Sequence, residues 1–174
     1  MKSKVSLAVI VGCLLATSVF GDPNTQIWYE TTDLGSNRWQ YTYDVTNISL
    51  TENIEEFTIW FDYGFYDNLT IITPDPPAGD WDQIVWQVEP VLQDPGGYDA
   101  LAKNLNIGIG ETVYGFSVSF DWLGTGAPGS QFYEIINPIN FQTIDSGYTV
   151  PVPEPTTICL CIAGAVMLLN KKVK

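Results

Sequence analysis

The chain of 174 residues has no histidine. Its three cysteines are Cys13, Cys159 and Cys161, so nothing between them can form a disulfide. Without histidine, Ser-His and Cys-His catalysis and histidine-ligated zinc are excluded together. Basic residues are scarce as well. Of the seven, five lie near the ends, and residues 22–150 hold only Arg38 and Lys103. The same stretch carries 19 of the 20 acidic residues, a net charge of −17. Such a surface repels nucleic acid and anionic lipid. It keeps an aromatic-rich domain soluble and is compatible with neutral polysaccharide or divalent cations as partners. Internal repeats, low-complexity tracts and βαβ alternation are also missing.

What is present reads as β structure. Trp39, Tyr41, Tyr43 and Val45 alternate with Arg38, Gln40, Thr42, Asp44 and Thr46. Phe57, Ile59 and Phe61 alternate with Thr58 and Asp62, but Trp60 interrupts the polar side. Tyr114, Phe116, Val118, Phe120 and Trp122 alternate with Gly115, Ser117, Ser119 and Asp121. Period two with one apolar face predicts half-buried antiparallel strands. Shorter strands are expected at Ile27–Thr31, Asn68–Thr73, Gln83–Val88, Leu105–Ile109, Phe132–Ile136 and Phe141–Asp145. Turn chemistry separates them at Asp33–Asn37, Pro74–Asp80, Asp94–Gly97, Gly124–Ser130 and Asn137-Pro138. One short helix is predicted over Tyr98–Asn104, after Gly96-Gly97. The pattern implies an all-β fold, a single antiparallel β-sandwich. Jelly-roll and Ig-like topologies both remain open, and an open barrel is the competing architecture.

The two ends differ from this body. Lys2 and Lys4 precede an apolar stretch from Val5 to Leu15, and small residues follow up to Gly21. This is the pattern of a secretory signal peptide, residues 1–21, a signal helix cleaved between Gly21 and Asp22. Cys13 lies inside the apolar stretch, too early for a lipoprotein box. Residues 22–150 then form the ectodomain. At the other end, Pro153, Glu154 and Pro155 precede an apolar segment, 156–169, and a basic stop of Lys171, Lys172 and Lys174. The prolines keep the chain extended. Tyr148–Pro155, with prolines at 151, 153 and 155, is expected to be a stiff spacer. The apolar segment is short for a full span, which takes about 20 residues. It is expected as a short transmembrane helix whose lysines stay cytoplasmic.

From Val152 to Lys174 the chain resembles the PEP-CTERM sorting tail, also known as the ice-binding protein C-terminal motif. That tail closes exported proteins of Gram-negative bacteria that make exopolysaccharide. Lysines here replace the arginines common in the family, and Cys159 and Cys161 are unusual in its apolar run. The softer pattern of Pro128-Gly129-Ser130-Gln131 before Phe132-Tyr133-Glu134-Ile135, then Ser146-Gly147-Tyr148-Thr149, also resembles such proteins. The resemblance implies a partner, the membrane-embedded exosortase, for which Pro153, Glu154 and Pro155 are recognition residues in a substrate. It implies a transient inner-membrane anchor, then the cell surface or extracellular matrix, with exopolysaccharide as a possible partner there.

For the ectodomain, the residues name no catalytic set and no cofactor. Carboxylates abound, but no pair stands out as a glycosidase acid and base. Asp75, Asp80 and Asp82 share a Pro/Gly loop and are metal candidates only for calcium, without EF-hand spacing. Trp28, Trp60, Trp81 and Trp86 are candidate sugar-stacking faces, Trp60 foremost because of its side of the strand. Asn47-Ile48-Ser49 and Asn68-Leu69-Thr70 fit the glycosylation sequon, which the resemblance to a bacterial sorting tail implies is incidental. No regular rows of threonine suggest ice binding. The reading is an exported, non-enzymatic surface or matrix protein, with a carbohydrate- or ice-binding module as the alternative.

Overall fold

Where apolar and polar residues alternate, the computed structural model forms strands, and it describes residues 23–153. β1 covers Thr25–Gly35 and β2 Arg38–Asn47, joined by a turn in which Gly35, Ser36 and Asn37 all have positive φ. β3 is Glu56–Phe61, β4 Tyr66–Ile71 and β5 Trp81–Trp86. β6 is Gly96–Ala102, β7 Thr112–Trp122, β8 Phe132–Asn137, β9 Gln142–Tyr148 and β10 Val150–Pro151. Among the described residues there is no helix.

The strands make two five-stranded sheets, so the architecture is a sandwich and not a barrel. Sheet I has the order β10-β1-β2-β7-β4, and sheet II the order β5-β6-β3-β8-β9. All pairings between these strands are antiparallel except β1 with β10. The chain crosses between sheets after β2, β3, β4, β6, β7 and β9.

Aromatic rings fill the space between the sheets. Tyr41 stacks on Phe120 at 4.8 Å between centroids, and Phe57 meets Phe116 edge-on at 4.9 Å. Burying each such side chain contributes about 1.5–3 kcal/mol. Buried tyrosines must also satisfy their hydroxyls. The Tyr41 hydroxyl donates to the Gly129 carbonyl (2.7 Å), that of Tyr43 to Oε1 of Gln131 (3.1 Å), and that of Tyr98 to Oε1 of Gln83 (2.6 Å). Burial pushes the Tyr41, Tyr43 and Tyr98 hydroxyls far above the ordinary tyrosine value, so they remain donors.

Several expectations need correction. Tyr98–Asn104 is not a helix. Gly96-Gly97 opens strand β6 instead, and Tyr98 and Ala100 point inward against Phe57 and its neighbours. The helix-forming Ala-Leu-Ala run yields to its position between β5 and β3, where both edges of the backbone are paired. Leu105–Ile109 is not a strand and contributes a single bridge, Ile107 to Ile54. Tyr114 does not share the inner face of β7. Gly115, at φ 89°, forms a bulge that turns Tyr114 outward. The expected spacer from Tyr148 is partly sheet, because Val150–Pro151 pairs with β1 and Val152 donates to the Tyr29 carbonyl at 3.0 Å.

Pro153 is described and exposed. Gly21, Asp22, Glu154, Pro155, Lys171, Lys172 and Lys174 lie outside the described residues, as do the expected signal helix and the membrane segment 156–169.

Candidate functional site on the outer face of sheet II

Strand register determines which side chains meet on the solvent side of sheet II. Trp86 of β5 is opposite Gly97 of β6, and Gly97 is opposite Trp60 of β3. Ile59 pairs with Tyr133, so one step further sets Trp60 beside Phe132 of β8. Phe132 pairs with Tyr148 of β9. Trp86, Trp60, Phe132 and Tyr148 therefore form one row across the sheet. Four inter-strand spacings make it roughly 19 Å long.

The row is shaped by a missing side chain. A Cβ at Gly97 would stand 2.1 Å from a ring carbon of Trp86, so the Trp86 indole lies directly on the Gly97 backbone. Trp60 meets it edge-on at 5.5 Å. Phe132 and Tyr148 meet edge-on at 5.6 Å, and the Tyr148 side of the row is the more open, at 67% exposure. The two tryptophans are half-buried.

A polar row runs alongside. Asp99, Thr58, Glu134 and Ser146 are successive partners across β6, β3, β8 and β9. Trp60 Nε1 donates to Oε2 of Glu134 at 2.8 Å, and Thr143 Oγ1 donates to Oε1 at 2.7 Å. Thr58 Oγ1 donates to Oδ2 of Asp99 at 2.8 Å. Burial raises the Asp99 carboxyl above the ordinary carboxylate value, which the Thr58 bond partly offsets. Burial also raises Glu56, one row further on, with the charge of Asp99 adding to it. Neither Arg38 nor Lys103 stands in a strand of sheet II. Among the described residues, the strands of this face thus offer aromatic surface beside oriented acceptors and carry no cation of their own.

The other expected site residues disperse. Trp81 is a core residue, 1% exposed, and its indole N–H has no partner among the described residues. Trp28 lies on the solvent side of sheet I, across from Asp44. Asp75 Oδ1 accepts from the Gly79 N–H at 3.0 Å, and the Asp80 carbonyl accepts from the N–H groups of Lys103 and Asn104. Asp82 is an exposed residue of β5. Among the described residues, no three His, Cys, Asp or Glu side chains form a group that could hold a metal ion.

Asn47 of the first sequon is fully buried, its Nδ2 donating to the carbonyls of Glu52 and Ile107. It is a structural hub with no side-chain amide open to solvent. On sheet I the hydroxyls of Thr46 and Thr112 pair at 2.8 Å, and Thr42 is opposite Ser117. Glu30, Arg38 and Asp44 interrupt them, so this face is not a flat uncharged hydroxyl array.

Of the four candidate tryptophans, Trp60 and Trp86 meet in this row, whereas Phe132 and Tyr148 were not among the expected site residues. Phe132 and Tyr148 are unremarkable in one dimension. Only the Gly-Gly pair before Tyr98 hinted that a ring would need room.

No family model and no curated protein matches the chain. Among solved structures it is similar to a family 3b carbohydrate-binding module from the biomass sensoring system of Clostridium clariflavum. That match has a TM-score of 0.41 and 9% identity, over 64% of this chain and 90% of the module. A second similarity is to an inactive mutant of a GH20 exo-β-N-acetylglucosaminidase from Vibrio harveyi, with a TM-score of 0.39 and 7% identity. It covers 75% of this chain but only 18% of the enzyme. Neither likeness is close enough to assign a family or an activity.

Proposed function

We propose that this protein is a non-catalytic glycan-binding β-sandwich that acts outside the cytoplasm. The carrying observation is the row of Trp86, Trp60, Phe132 and Tyr148 on the solvent face of sheet II. Sugar C–H groups are attracted to the electron-rich face of an aromatic ring. A row that crosses the sheet suits an extended chain of pyranose rings rather than a single sugar. Asp99 and Glu134, oriented by Thr58, Trp60 and Thr143, accept hydroxyl protons beside it. Asp99 and Glu134 stand two strands apart on one sheet face with Thr58 between them, which suits binding and not hydrolysis. The charge of the domain favours a neutral polysaccharide over an acidic one.

Delivery is part of the proposal. Residues 1–21 export the chain, and the segment from Val152 to Lys174 acts as a sorting tail read by an exosortase. The protein then belongs to the cell surface or the matrix. Two features of the sequence support this, the lysine-flanked apolar stretches at both ends and the Pro-Glu-Pro element.

The test is sedimentation of the full-length, detergent-solubilised protein with insoluble neutral glucan, chitin and an insoluble polyuronate. Retention on a neutral polymer and not on the polyuronate is expected. Trp86→Ala and Trp60→Ala should each weaken it about tenfold, equivalent to about 1.4 kcal/mol. Equal retention of wild type and both variants overturns the assignment of the face. For delivery, Glu154→Gln and Pro155→Ala should leave an uncleaved precursor in a host with its own exosortase, and unchanged processing refutes the tail.

A further inference from the structure

Sheet I carries a second row, with different geometry. Trp28 of β1 is opposite Asp44 of β2, and Asp44 is opposite Tyr114 of β7. The row exists because of the bulge. Tyr43 pairs with Phe116 and Asp44 with Tyr114, leaving Gly115 unpaired between them. Gly115 takes φ 89°, which costs a residue with a Cβ much more than glycine. Past the bulge the pleat changes phase. Val113 takes the inner side against the core, and Tyr114 is 67% exposed. Bulges of this kind re-aim side chains, often beside functional sites.

The carboxylate between the two rings is held but not saturated. Asp44 Oδ1 accepts the Gly115 N–H at 3.2 Å. Among the described residues nothing donates to Oδ2. Burial raises this carboxyl above the ordinary value, so an added donor would relieve a desolvated charge. Trp28 and Tyr114 are two strand spacings apart, about 10 Å. A shallow apolar groove of about 310 Å³, lined in part by Pro76, Pro77 and Val113, continues from Tyr114.

We infer that Trp28, Asp44 and Tyr114 form a second saccharide site, on the opposite side of the sandwich from the sheet II row. A neutral pyranose unit lies over Asp44, with its hydroxyls donating to Oδ2 and its C–H faces against Trp28 and Tyr114. Taken with the sheet II reading, on which this consequence rests, the domain is divalent. Its two faces point away from each other, so one molecule holds two glycan chains at once and cross-links them. Binding of one polymer at both faces also raises avidity without new contacts.

The experiment is isothermal titration of the full-length protein, in detergent, with cellohexaose and with chitohexaose. Paired with it is the turbidity of a soluble neutral glucan on addition of protein. Two sites per chain and clouding of the polymer are expected. Tyr114→Ala and Trp28→Ala should remove one site and the clouding, while the sheet II site keeps its affinity. Trp86→Ala should remove the other site and also the clouding. Tyr114→Phe keeps the ring and should retain both sites. Far-ultraviolet circular dichroism and melting of each variant separate lost binding from lost fold. If the wild type shows one site that Tyr114→Ala does not alter but Trp86→Ala abolishes, this inference is overturned and the sheet II reading stands. If the wild type binds neither oligosaccharide, both are overturned.

Discussion

Gly97 is the floor on which Trp86 lies. Its backbone sits so close beneath the indole that no side chain fits between them. Gly97→Ala must therefore lift or rotate Trp86 and disturb its edge contact with Trp60. Overpacking of this kind costs about 1–3 kcal/mol. The urea midpoint should fall accordingly, and retention on neutral glucan should fall with it, as for Trp86→Ala. A variant as stable as wild type and with full retention would show that Trp86 does not need this floor.

Asn47 is expected to be the most sensitive polar side chain of the loop region at its end of the sandwich. Its amide donates to two carbonyls, and its Oδ1 accepts the Leu50 N–H at 2.9 Å. Asn47→Ala leaves the Leu50 N–H and the Glu52 carbonyl without this partner, while the Ile107 carbonyl keeps its bond from the Ile54 N–H. The loss is about 2 kcal/mol or more, since each orphaned group costs roughly 1–3 kcal/mol. Asn47→Asp keeps the acceptor but sets a buried carboxylate oxygen against two carbonyls, and should cost at least as much. Chemical denaturation of the three proteins gives the order directly.

Pro151 and Pro153 protect an open edge. Val152 uses its N–H to bond Tyr29, so by alternation the nitrogens of Pro151 and Pro153 face away from the sheet. There a normal residue would present a free donor to another chain. Proline on an outward edge is a known safeguard against edge-to-edge pairing. The double variant Pro151→Thr, Pro153→Thr should melt close to wild type. It should nonetheless self-associate at concentrations where wild type stays monodisperse by light scattering.

Mild acid should stabilise the fold. Burial pushes Asp44, Glu56 and Asp99 above the ordinary carboxylate range. Such groups hold protons more tightly folded than unfolded, so stability rises as pH falls from neutral through their raised values. Relief of the negative net charge acts in the same direction. Asp121 opposes them at the acid end. Asn68 and then Arg38 donate to it and hold it below the ordinary value, so its contribution is lost as pH falls through that lowered value. The melting temperature should climb from pH 7 to about 5 and turn down below about 3. Asp99→Asn should flatten the climb. A melting temperature that falls steadily from pH 7 would contradict the assignment.

Much of the β architecture was legible in one dimension, because a strand with one buried face writes its period directly into the chain. Tyr41, Tyr43 and Val45 announce the inner face of β2, and Phe57, Ile59 and Phe61 that of β3. The absence of cysteine from residues 22–150 and of histidine from the whole chain excluded disulfides within the domain and several kinds of catalysis outright. The scarcity of basic residues set the sign of the surface.

What the tertiary structure decided depends on which strands become neighbours. Tyr98–Ala102 is a strand because β5 and β3 pair with both of its edges, and local helix propensity is too weak to resist that. Tyr114 faces outward because one glycine interrupts the pleat, and the alternation around it reads the same whether or not a bulge is present. Trp81, one of the four tryptophans expected as sugar-stacking faces, is buried while Trp86, five residues later, lies flat on a surface. The aromatic rows join residues from β5, β3, β8 and β9, and from β1, β2 and β7, that are far apart in the chain. Their alignment is a property of register between strands, and register is settled only when the two sheets close over a shared core.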